Sequence, residues 1–234
     1  MKKAKTGRAK RKNAGGGGKI RLSLSLAANV LILAFTAYSM FLCFFEPSTG
    51  EFTADGVRSF RYFTVDSNLF CALASLVLIF ADIRLLSKNG GWLPRWVVLL
   101  KFAGTVTVTL TLLTCVVYLS GFTGGFLNMI RGKELFMHLL TPVLAILSFV
   151  LLEHSAALPL WTIFLSVPPV AAYGAVYFYK VLLVPKDRGG WTDFYKLAGN
   201  GKWLNGVLVM FAAVLLISLV LWALHSLFGR IGRK

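Results

Sequence analysis

Long apolar runs constrain this chain more than any other feature. They lie at 22–45, 61–86, 96–121, 137–153, 157–180 and 203–228, and each approaches the ~20 residues a helix needs to span hydrocarbon. Only 15% of the residues are charged, against about a quarter in soluble domains, and most of those charges stand between the runs. Water is therefore not the solvent of this fold. The predicted class is all-α: a polytopic integral membrane bundle of six transmembrane helices, with membrane lipids as its surroundings.

Two boundaries need argument. The run at 22–45 is longer than a signal-peptide core, and no convincing small-x-small cleavage site follows it, so it is read as the first membrane helix. Glu153-His154-Ser155-Ala156 separates the fourth run from the fifth only narrowly. Pro159 suits the first turn of a helix, so this stretch reads as a tight helical hairpin. Pro168-Pro169 should kink the fifth span, because proline removes a backbone donor and clashes with the preceding turn. Residues 1–21 form a disordered basic tail, 22–228 the six-helix domain, and 229–234 a short basic tail.

The net charge is +16, and nine of the 25 Lys and Arg fall in the first 21 residues. Basic tracts can neutralise nucleic-acid phosphate, but no aromatic or motif partner accompanies this one, and nucleic acid is not the expected partner. Its place beside an apolar run points to anionic lipid headgroups. With an internal N-terminus the inner segments hold sixteen Lys and Arg and the outer segments nine. The positive-inside rule then favours both termini in the cytoplasm. The basic loop 185–202 dissents; its Trp191, Phe194 and Tyr195 read as a headgroup-level anchor or as a lid on a site.

Cys43, Cys71 and Cys115 sit inside apolar runs and read as buried free thiols. His138, His154 and His225 are far apart, so no metal or other cofactor is signalled. His154 and His225 read as interfacial, and Tyr118, Tyr173 and Tyr177 as an aromatic belt. Lys101 reads as a snorkelling residue and Asp66 as the partner of a loop arginine. The Thr105, Thr107, Thr109, Thr111 and Thr114 series cannot share one helical face and reads as packing.

Polar groups inside hydrocarbon are costly unless partnered, so their arrangement is where function is sought. Thr64, Ser67, Asn68 and Cys71 fall at i, i+3, i+4 and i+7, on one face of the second helix. His138, Thr141, Pro142 and Ala145 repeat that spacing at the start of the fourth. Both helices run in the same direction, so Thr64 and His138 are expected near one interface. A neutral His138 at a helix start suits a base for the Thr64 hydroxyl, with first-turn N–H groups or Asn68 steadying an oxyanion, and Ser67 and Thr141 beside the substrate. The same residues serve equally well as interhelical hydrogen-bond partners.

The strings FRYFTVDSNLF and MHLLTPVLAIL, which open the second and fourth helices, resemble those of the bacterial six-transmembrane (Pr-six-Pr type) relatives of the androgen-induced-gene and androgen-dependent TFPI-regulating proteins. The resemblance implies a multi-pass protein of the bacterial cytoplasmic membrane. From the animal branch it implies an intramembrane threonine hydrolase of fatty acid esters of hydroxy fatty acids, with Thr64 as nucleophile and His138 as base. A small-solute or ion transporter and a non-catalytic scaffold or lipid-binding protein are the other classes the residues permit.

Overall fold

A computed structural model describes residues 16–88, 91–154 and 157–231. Most of the expected N-terminal tail, the last three residues of the C-terminal tail, and Ser155 and Ala156 of the hairpin lie outside the described residues. Among the described residues six helices are long and apolar enough to cross a membrane. They are α1 (Gly16–Phe44), α2 (Phe63–Ser87), α3 (Arg95–Gly121), α4 (Lys133–Leu151), α5 (Leu160–Leu183) and α6 (Trp203–Ile231). A short antiparallel hairpin, β1 (Phe45–Glu46) with β2 (Glu51–Phe52), and a 3-10 helix over Ala54–Arg61 join α1 to α2.

The helix α3 is the central post, packed against α2, α4, the start of α5, and α6. Every residue from 101 to 111 is buried, which explains why its threonines need no common face. Thr107 and Thr109 donate to the carbonyls of Gly104 and Thr105 at 2.8 and 2.7 Å, so their hydroxyls are satisfied within the helix and their methyls pack outward. Gly104 allows the close approach of α2: a Cβ there would stand 3.0 Å from the Cα of Cys71. All three cysteines are buried free thiols.

The outward faces are as apolar as the interior. Leu31 on α1, Phe80 on α2, Val117 on α3, Leu147 on α4 and Leu216 on α6 are all exposed, which is stable only against lipid. Helix α1 already runs before the apolar stretch at Leu22, and Arg21 donates to Leu152 O at 2.8 Å, tying that turn to the end of α4. The prolines act differently from the expected mid-span kink. The residues Leu160–Ser166 form a 3-10 helix, and regular α-helix begins at Val167 with Pro168 and Pro169 in its first turn, where their missing N–H groups cost little.

Candidate functional site at one end of the bundle

Thr64 is the second residue of α2, and His138 lies in the second turn of α4. The Thr64 hydroxyl is 3.4 Å from His138 Nε2. The other ring nitrogen, Nδ1, is 2.6 Å from the carbonyl of Met129. A carbonyl only accepts, so Nδ1 carries the proton, and in the neutral ring Nε2 presents its lone pair to the threonine. Glu134 Oε2 also stands 3.4 Å from Nε2, placed to receive a proton-bearing Nε2–H once the ring is charged. Because α4 begins at Lys133, His138 is not at a helix start; the Met129 carbonyl fixes the tautomer of its neutral ring.

The backbone around His138 is irregular for a traceable reason. The segment Phe136–Leu140 is a π-turn, with Thr141 N–H bonded to Phe136 O. In that register the carbonyl of Met137 would take its hydrogen from residue 142, which is proline and has none. Asn68 supplies it: its Nδ2 donates to Met137 O at 3.1 Å and to Thr64 O at 2.7 Å. Both amide hydrogens are thereby committed to carbonyls, so Asn68 braces the two catalytic candidates against each other instead of serving as an oxyanion donor.

The other expected residues divide. Ser67 bonds Thr64 O at 3.1 Å and Thr111 Oγ1 at 2.8 Å, locking α2 to α3. Thr141 is fully buried, with a hydroxyl that finds no partner among the described residues. Asp66 makes no ion pair among the described residues; it borders a shallow hollow with Ser67, Thr107 and Trp191. The first-turn donor of Phe63 is already occupied.

Its occupant comes from the basic loop 185–202, whose aromatic residues the sequence leaves open between a headgroup anchor and a lid. The Tyr195 hydroxyl accepts the Phe63 N–H at 2.9 Å, capping α2 from a distant loop, and lies in contact with the Thr64 and Tyr173 side chains. Burial holds its hydroxyl well above the ordinary phenol range, so it stays a protonated donor. The loop is built to present it. Asp193 accepts from Tyr177 O–H at 2.6 Å, Leu197 N–H at 3.0 Å and Ala198 N–H at 2.9 Å. Lys196, at φ 53°, takes the left-handed turn that lets Tyr195 point inward. Tyr173 likewise turns in, donating to Arg61 O at 2.7 Å. Tyr173 and Tyr177 are thus loop fasteners and not a lipid-facing belt.

Thr64 and Tyr195 together border a cavity of about 380 Å³ whose remaining wall is almost wholly apolar, contributed mainly by α3, α5 and α6 with Phe63 and Leu197. The arrangement offers a hydroxyl with a base on one side, and a phenol hydroxyl and an apolar hollow on the other.

A second polar cluster lies at the opposite end. Lys101 is fully buried and donates to Asn29 Oδ1 and Ser75 Oγ, both at 2.7 Å. Its ammonium is 3.8 Å from Glu153, which also accepts from Asn29 at 2.8 Å. Asp82 accepts from Ser25 at 2.7 Å. Lys101 therefore does not snorkel, since a complete set of partners inside the bundle replaces the interface. His154 and His225 are also buried, and His225 Nδ1 pairs with Phe149 O at 3.0 Å; neither is solvated at an interface.

Fold and site define a multi-pass helical membrane protein with one polar constellation at each end of the bundle. No family model, no curated protein and no solved structure matches the chain.

Proposed function

We propose that this protein is an intramembrane hydrolase of lipid esters, with Thr64 as nucleophile and His138 as general base. The observation that carries the reading is the 3.4 Å approach of the Thr64 hydroxyl to an imidazole nitrogen whose opposite nitrogen is held by a carbonyl. A nucleophile, a base and an orienting third group is the minimal acyl-transfer set, and such contacts tighten when substrate binds. The resemblance of the α2 and α4 opening strings to the threonine hydrolase family supports the same assignment. On this reading the chain is one of that family's bacterial relatives, sits in the cytoplasmic membrane with both termini inside, and carries its site toward the outer face.

The chemistry follows from the placement. His138 Nε2 takes the Thr64 proton as Oγ1 bonds to the acyl carbon, and the carbonyl electrons move onto oxygen, where the Tyr195 O–H donates to them. The imidazolium is steadied by Glu134. Collapse breaks the ester C–O bond, and the departing alkoxide takes the proton from Nε2–H and leaves as alcohol. Water then attacks the acyl-threonine with His138 again as base, giving the fatty acid and restoring the Thr64 hydroxyl.

Purified protein in vesicles should hydrolyse a long-chain fatty acid ester. Thr64→Ala and His138→Ala should each lower kcat by ~10³-fold or more while thermal unfolding stays that of a folded bundle. Turnover persisting in both variants removes the assignment.

A further inference from the structure

We infer that the apolar cavity beside Thr64 is an acyl-chain site loaded sideways from the bilayer through the cleft between α3 and α6. The ester part rests on the hydrolase reading; the chain part does not. The floor of the cavity is made by Leu110, Val170 and Ile217, all buried, while Val117, Val209 and Leu216 at its edge are 75, 66 and 63% exposed. On a membrane protein those three face lipid, so the mouth opens into hydrocarbon. Tyr195 and Leu197 of the folded loop line the cavity at its other end.

Dimensions and polarity fit one alkyl chain. From Val209 to Ile217 the cavity follows α6 for ~12 Å at ~1.5 Å per residue. The Thr64 and Tyr195 hydroxyls stand at the end nearest the headgroups. A leaflet lipid lies the same way, carbonyl at the interface and chain inward, so a substrate reaches Thr64 by lateral movement without turning over. The substrate class is therefore a membrane-dissolved ester whose acyl chain lies along α6, and a short water-soluble ester leaves most of the wall unfilled.

The test uses Thr64→Ala protein in phospholipid vesicles with a long-chain ester carrying a photoactivatable diazirine near its chain end. Cross-links should concentrate on 110–117 of α3 and 209–217 of α6. They should fall several-fold when Ala213→Phe fills the cavity, or when Leu216→Trp, at a lipid-facing position that burdens folding little, narrows the mouth. In otherwise wild-type protein, Ala213→Phe should shift kcat/KM toward short-chain esters by ~10-fold or more. Label spread evenly over the lipid-facing surfaces, or indifferent to both substitutions, overturns the inference, because the cavity then holds bulk lipid only. Focused label in a protein whose Thr64→Ala variant hydrolyses esters like the wild type supports the chain site and removes the hydrolase reading instead.

Discussion

Tyr195 meets the site from 132 positions along the chain beyond the Phe63 N–H it caps, and under the proposed hydrolysis it would serve both stability and chemistry. Tyr195→Phe keeps the ring and removes one hydroxyl. Loss of an oxyanion donor lowers kcat by ~10²–10³ with KM little moved, whereas uncapping one helix N–H costs about 1–3 kcal/mol. Steady-state kinetics and thermal unfolding read the two separately; an unchanged kcat beside a lowered Tm would make Tyr195 a cap alone. Thr64 and His138 were legible because helical spacing puts each on a polar face, and two parallel helices bring those faces to one depth. Tyr195 was not, because an aromatic residue in a basic loop carries the same signal whether it anchors at headgroups or folds inward. What decides is Asp193 fastening the loop, a contact set by tertiary structure.

At the scale of the helix, the π-turn of α4 aims His138. Its sequence signal is the proline four positions on, Pro142, which denies an α-helical hydrogen bond to the turn before it. Pro142→Ala restores the donor, so the turn should relax toward regular α-helix and rotate His138 off Thr64. Activity should fall while Tm holds or rises, and a variant as active as the wild type would show that the turn does not matter. The opposite end behaves differently. Lys101→Met leaves Glu153 charged and uncompensated inside the bundle, which costs about 3–5 kcal/mol. Thermal melts should show that loss, with part of it recovered in Lys101→Met/Glu153→Gln; no change in Tm contradicts the clamp. Lys101, Asn29 and Ser75 come from three helices, and nothing in their spacing reveals that they meet. The helices themselves were legible throughout, since hydrocarbon admits few alternatives to a continuous apolar helix.

For the whole molecule, the six spans among the described residues put the start of α1 and the end of α6 at one end of the bundle and the Thr64 site near the other. The native cysteines are buried, so single introduced cysteines report topology cleanly. In intact cells a membrane-impermeant maleimide should label Thr49→Cys, in the exposed β1–β2 turn, and should leave Lys5→Cys untouched until the membrane is opened. The reverse pattern inverts the orientation and assigns the site to the cytoplasmic face.

The proposed hydrolysis passes through an acyl-threonine, and trapping that species tests it most directly. Protein mixed with a long-chain ester and quenched in acid should carry one acyl group, found by mass spectrometry on the peptide containing Thr64, absent in Thr64→Ala and not formed in His138→Ala. An acyl adduct that maps to another residue, or that forms equally in both variants, contradicts the account.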